Sequence, residues 1–113
     1  MNAAFDRPRL MIRDGHRRHF VAVADILWIE SLGNYARVHA LSARYIHRAT
    51  MTELDEQLAP YGFARIHRQA IVNARRIVRL QPAGSGRYEA QLDTGSRLRV
   101  SRTFRRALLL TLM

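Results

Sequence analysis

Along most of this chain apolar and polar residues alternate with a period of two, the spacing of half-buried strands. Residues 10–13 (LMIR) and 16–23 (HRRHFVAV) flank Asp14-Gly15, a dipeptide suited to the positive φ angles of a tight hairpin turn. Residues 23–26 read as a short connector, and 27–32 (LWIESL) as an apolar strand closed by a Gly33-Asn34 turn. In 35–41 (YARVHAL) the residues Tyr35, Arg37 and His39 share one face and Ala36, Val38 and Ala40 the other. Short strands follow at 44–48 and 63–67 (FARIH), then a bend or single turn at 69–73 (QAIVN) and a strand at 75–80 (RRIVRL). After a turn at 82–86 (PAGSG), residues 87–92 alternate with Tyr88, Ala90 and Leu92 inward. After another turn at 93–96, residues 97–101 place Leu98 and Val100 inward and Arg97, Arg99 and Ser101 outward.

Two segments carry the helical period. In TMTELDEQLAP, Thr50 stands three residues before Glu53, the spacing of a capping box, and Met51, Leu54 and Leu58 fall on one face before Pro60 stops the helix. RTFRRALLLTLM at the end predicts a final short helix whose Leu-rich face needs cover. The fold class is therefore mainly β with short helices, in one domain over residues 8–113 behind a flexible lead-in at 1–7. No pair of helices joined by a short turn is present, so helix-turn-helix reading is disfavoured and base contacts must come from loops and strand ends.

Charge changes the picture. All 19 basic residues are Arg, against 9 acids, a net charge of +10 that biases partners toward polyanions. Genome base composition accounts for Arg over Lys better than for the excess itself. Residues 65–106 hold 11 Arg and two acids, a net +9, whereas residues 1–64 hold 8 Arg and 7 acids, a net +1. A polyanion-binding face should come mainly from the second half.

Three segments can supply it. In FARIHRQAIVNARRIV (63–78), Arg65, His67, Arg68, Gln69, Asn73, Arg75 and Arg76 are interleaved with Phe63, Ile66, Ile71, Val72 and Ile77, a polar crest on an apolar floor. Arg matches guanine O6 and N7, and Asn or Gln matches adenine N6 and N7. Arg68 is the residue most suited to DNA contact; Asn73 has the chemistry of a turn cap. In IESLGNYARVH (29–39), Asn34 and Tyr35 sit at a turn with Arg37 close by, although taken alone this segment reads as an ordinary Gly-Asn hairpin with Tyr35 as cross-strand packing. Glu30 would repel phosphate and is expected to orient a nearby Arg, for example one from 65–76. In RLRVSRTFRR (97–106), Arg99, Ser101, Arg102 and Arg105 suit phosphate, the alternative being a solvated basic face.

Enzyme readings find no motif to support them, and a small basic nuclease working through His and Arg stays as a third reading. There is no Cys, so thiol catalysis, disulfides and Cys-type zinc sites are excluded. His16 and His19 form an HxxH with nothing nearby to complete a tetrahedral set, so no metal or other cofactor is expected. Neither GxxxxGK[ST] nor GxGxxG occurs, and no Ser sits in an elbow motif. No apolar run approaches the roughly 20 residues of a membrane span and the start has no signal-type h-region, which fits a cytoplasmic protein.

LGNYARVH after WIES, then RATMTELDEQL, FARIHRQAIVN and RLRVSRTFR closely resemble, in this order, the LytTR family of bacterial DNA-binding domains, over about residues 8–112. The resemblance implies elongated antiparallel β-sheets whose loops enter successive major grooves on one face of a duplex. It implies the effector domain of a response regulator, acting in a two-component system on direct repeats in promoter DNA, often as a homodimer. By position it puts base and backbone contacts on Asn34, Tyr35 and Arg37, on His67, Arg68 and Gln69, and on Ser101, Arg102 and Arg105. Gln69 departs from the family pattern, which usually shows Ser there, so base preference does not transfer. No receiver or sensory domain precedes residue 8, so the chain reads either as an effector domain or as a protein that works alone. An RNA-binding or nonspecific basic β module is the alternative.

Overall fold

The computed structural model describes residues 7–113; the lead-in expected at 1–7, Arg7 excepted, lies outside the described residues. Strands β1 (Arg9–Asp14) and β2 (Arg17–Ala22) form the first hairpin. Asp14 pairs with Arg17, so the turn is Gly15-His16, one residue later than the dipeptide expected. Gly15 takes φ +60° at the first loop position, as a type II′ hairpin turn requires. Strands β3 (Ile26–Leu32), β4 (Tyr35–Ala40) and β5 (Arg44–His47) follow, then helix α1 (Met51–Leu58), then β6 (Phe63–His67) and β7 (Ala70–Asn73). Strands β8 (Ile77–Gly84), β9 (Arg87–Leu92) and β10 (Arg97–Val100) and helix α2 (Arg105–Leu112) complete the described chain.

The strands make three antiparallel sheets: β1-β2, β5-β4-β3-β7-β6 and β10-β9-β8. The five-stranded sheet carries an apolar core on each face. On one side Ile29, Val38 and Ile71 pack with Ile12 and Val21 of the first hairpin and with Leu54 and Leu58 of α1. On the other, Ile66, Ala70 and Val72 pack with Ala90, Leu92 and Val100 of the three-stranded sheet and with Leu108 of α2. The molecule measures 43 × 34 × 24 Å, longer than it is thick.

This layering explains two departures from the sequence pattern. Residues 69–73 look like a bend because Ala70, Ile71, Val72 and Asn73 do not alternate, yet they form β7. All four are buried because the strand is covered on both faces. The expected 82–86 turn is instead the end of β8, with only Ser85-Gly86 turning. Pro82 is tolerated because β8 is an edge of its sheet, beside a register shift at Pro82/Gly84.

Helix α1 follows its sequence closely. Thr50 Oγ1 accepts from the Glu53 N–H at 3.2 Å, and Met51, Leu54 and Leu58 are its buried residues. The α-helix ends at Leu58, two residues before Pro60, which sits in a 3-10 turn, Ala59–Tyr61, that ends at Gly62 with φ +86°. Thr50→Ala should lower stability by about 1 kcal/mol, read as a fall in the urea midpoint, since the Glu53 N–H loses its partner. The last helix begins three residues later than the run RTFRR suggests. Only Leu108 of its face is buried, and Leu110 is 64% exposed.

Candidate nucleic-acid interface

A two-residue turn, Arg68-Gln69, joins β6 to β7. It is pinned from inside: the Gln69 N–H donates to His67 Nδ1 at 3.1 Å, and Arg65 Nη2 donates to the Arg68 carbonyl at 2.7 Å. The backbone is thus held by its neighbours, while the Arg68 and Gln69 side chains project into solvent. Beside it stands the β3-β4 hairpin. Ser31 N–H donates to the Gln69 carbonyl at 2.8 Å, so the two turns lie at one end of the sheet. The Gly33-Asn34 turn extends beyond that bond, with Gly33 at φ +80° and Asn34 and Tyr35 exposed.

Register ties the two segments further. Ile46 pairs with Arg37, Arg37 with Glu30, Glu30 with Ala70, and Ala70 with His67, one row across all five strands. Paired residues point to the same face, and neighbouring strands stand about 4.8 Å apart. Arg37 and His67 are therefore about three strand spacings apart, or ~14 Å, with His67 following a bulge in β6.

The third segment closes in from the other sheet. Ser101 N–H donates to the Ile66 carbonyl at 2.8 Å, which lays the end of β10 against β6. Arg99 and Ser101 then join His67, Arg68 and Gln69 around an open groove of about 630 Å3, with Arg87, Thr103 and Phe104 completing it. The Arg65 guanidinium lies over the Phe104 ring at 5.9 Å, within cation–π range. Ser101 Oγ and Arg65 Nε are buried without a hydrogen-bond partner among the described residues. At the groove's edge Arg105 Nη1 donates to the Gly86 carbonyl at 3.1 Å. Gly86 has φ +78°, and a side chain there would meet Arg102 Cδ at 2.9 Å. These contacts fasten the β8-β9 turn to the start of α2 while Arg102 and Arg105 stay exposed.

Other residues of the 63–78 crest serve the fold. Asn73 is buried, donates Nδ2 to the Ile26 carbonyl at 2.9 Å and accepts from the Arg75 N–H at 3.2 Å, the capping role its chemistry suggests. Arg76 is held by Asp93 at 3.0 Å and by the Ala24 carbonyl at 2.8 Å. Glu30 does not hold an Arg from 65–76, as the sequence suggests. Its Oε1 accepts from Arg37 Nη1 and meets His39 Nε2, each at 2.9 Å, because Arg37 lies opposite it on β4 and His39 two residues further along, opposite Trp28. Arg87, Thr103 and Phe104 are absent from the sequence-based set, and only Arg87's place beside a glycine turn hints at a role.

Burial acts to raise the Glu30 carboxyl, but the hydrogen bonds and charges of His39 and Arg37 outweigh it and hold the group below its ordinary range. His67 is pushed down from the ordinary histidine value by burial, then by Arg99 and Arg65. His47 is pushed down by burial and by Arg13, and its Nδ1 accepts the Arg13 N–H at 3.0 Å. Both histidines bind protons less readily folded than unfolded, so stability should rise with pH. The loss on acidification begins as pH falls through about 6.5, where the unfolded chain takes up protons first, and levels off below the folded values. Urea midpoints at pH 7.5 and 5.5 check this. A higher midpoint at pH 5.5 would contradict it, and His47→Gln should flatten the slope.

Among the described residues no group of three His, Cys, Asp or Glu side chains is placed to hold a metal ion. No described helix is long and apolar enough to cross a membrane.

The LytTr DNA-binding domain family matches residues 16–113. The sensory transduction protein LytT of Bacillus cereus is 28% identical over 78% of this chain and 36% of its own length. The CO-responsive transcriptional regulator RcoM of Rhodospirillum rubrum is 30% identical over 73% of this chain and 34% of its own. The transcriptional regulatory protein LytR of Staphylococcus aureus is 26% identical over 92% of this chain and 42% of its own. The chain thus spans between a third and a half of these relatives. A solved LytTr DNA-binding domain of a Bacillus cereus protein shares the fold, with a TM-score of 0.81 at 21% identity, over 92% of this chain and 95% of that one. The fold is therefore the mainly β, antiparallel architecture expected. The chain belongs to the LytTr DNA-binding domain family, a DNA-binding module and not an enzyme.

Proposed function

We propose that this domain reads duplex promoter DNA sequence-specifically, as the effector part of a bacterial transcriptional regulator of the response-regulator type. The convergence of Arg68, Gln69, Arg99 and Ser101 on one groove, beside the Asn34-Tyr35 turn, carries this reading. The arrangement supplies what recognition needs: aimed side chains for base edges and Arg or hydroxyl groups for phosphates. The turns project from one end of the sheet, and ~14 Å between Arg37 and His67 is close to the width of a major groove, about 12 Å. Arg68 and Gln69 would read bases in one groove. Arg99, Ser101, Arg102 and Arg105 would clamp phosphate, and Asn34, Tyr35 and Arg37 would meet the neighbouring stretch. Sensory transduction and transcriptional regulation in the names of the relatives support the regulatory setting. Two copies side by side on a direct repeat would let so small a footprint specify a promoter.

Selection of bound duplexes from a randomised pool tests this. The expected result is an enriched motif, repeated head to tail a whole number of helical turns apart, each about 10–10.5 base pairs. For the enriched duplex, log affinity should fall against log salt with a slope of about −0.9 per neutralised phosphate, several units in all. A pool that shows no enrichment, or single-stranded RNA bound more tightly than any duplex, would replace this reading with a nonspecific or RNA-binding module.

A further inference from the structure

Glu30 is an acid on the face of a domain with a net charge of +10, and it lies in the row that joins the two hairpins. Repulsion of DNA phosphate makes it a liability there unless it acts through a neighbour. Its one oxygen, Oε1, takes both Arg37 Nη1 and His39 Nε2 at 2.9 Å. His39 is in turn stacked flat on Trp28, ring centroids 4.3 Å apart at an interplanar angle of 2°. The carboxylate is therefore itself fixed, by a ring clamped against a partly buried indole. The guanidinium it holds is not covered: the Arg37 side chain is 39% exposed, and among the described residues only Glu30 binds it. One nitrogen of the planar fork is tethered, and no described group accepts from the others.

We propose that Glu30 is a positioning residue for DNA recognition, and that the stack of Trp28 and His39 holds it so that Arg37 presents its free edge to a base. A free Arg would bind any phosphate within reach and pay rotamer entropy to do so. A tethered one offers a donor pair in one direction, the geometry that guanine O6 and N7 accept. The acid also lowers the attraction of this spot for bare phosphate, which suppresses binding to the wrong sequence. Glu30 thus trades nonspecific affinity for selectivity. This inference rests on the reading of this end of the sheet as the DNA-binding face.

The test measures the affinity ratio between a duplex enriched from a randomised pool and a scrambled duplex of the same length. Glu30→Ala should lower that ratio about tenfold, chiefly by weakening the enriched duplex, while the scrambled duplex binds as tightly as before or more tightly. Glu30→Gln keeps an oxygen that accepts from Arg37, so its loss should be smaller. It also carries the test should Glu30→Ala fail to fold. In an Arg37→Ala background, Glu30→Ala should leave the ratio unchanged. Parallel weakening of both duplexes would make Glu30 merely structural, and parallel strengthening would make it merely repulsive; either overturns the proposal. So does a tenfold loss that persists without Arg37. Arg68→Ala separates the two levels. If it collapses the ratio and Glu30→Ala does not, Glu30's role falls alone; if neither moves the ratio, the reading of the face falls with it.

Discussion

Ile71→Ala should destabilise the domain by about 2–5 kcal/mol, the range for truncating a fully buried aliphatic residue to Ala. Ile71 has no solvent exposure and sits in β7 between β3 and β6, paired with Ile29 on one side and Arg65 on the other. Its side chain enters the core beneath the first hairpin and α1, while Ala70 and Val72 enter the opposite core. A cavity here is flanked by a layer on each face of the sheet, so the surroundings can collapse into it only by shifting both. Against a total stability of about 5–15 kcal/mol the loss is large. It should appear as a lower urea midpoint with an unchanged slope, and the next residue but one to the Arg68-Gln69 turn would carry the damage to DNA binding as well. Val78→Ala, 63% exposed on β8, should stay within about 0.5 kcal/mol of the parent. A cost below 1 kcal/mol for Ile71→Ala would mean that β7 is not the shared wall of two cores.

The failures of sequence reading have the same origin as that prediction. Strands with one wet face were legible, because burial imposes alternation. Tyr88, Ala90 and Leu92, or Leu98 and Val100, point inward as their spacing indicates. Strand β7 was illegible because a strand covered on both faces has no alternation to show. The β8 end was hidden by Pro82 and Gly84, which signal a turn locally and are tolerated only because no strand pairs beyond them. In the interface, the crest at 65–69 was visible as polar residues between apolar anchors. Arg76 looked equally available until Asp93, 17 residues on, took it. Arg87 and Phe104 join the groove only when β8-β9 and the start of α2 fold over β6, a juxtaposition that no local spacing encodes.

Arg68→Ala should cost about 1–3 kcal/mol on an enriched duplex and little on a scrambled one, relaxing the preference at one base position. Arg68 is exposed at the apex of a turn whose backbone Arg65 and His67 already hold, so truncation removes a reading group without loosening the loop. Arg99 lies instead on the outward face of β10, paired with Glu89 across the strand, where a phosphate is the natural partner. Arg99→Ala should therefore weaken both duplexes by similar factors and lower the salt slope by about one unit. It should also relieve His67, whose proton affinity Arg99 depresses. Should Arg68→Ala shift both duplexes in parallel while Arg99→Ala destroys selectivity, the reader would be the 97–106 segment and 65–69 the clamp.

Amide chemical-shift mapping during titration with an enriched duplex locates the interface most directly. The expected perturbations cluster at residues 33–37, 65–69, 86–87 and 99–105, and leave α1 and the β1-β2 hairpin on the opposite side of the five-stranded sheet unmoved. Perturbations centred on residues 9–22 and 51–58, with the 67–69 turn silent, would contradict the assignment of the DNA-binding face.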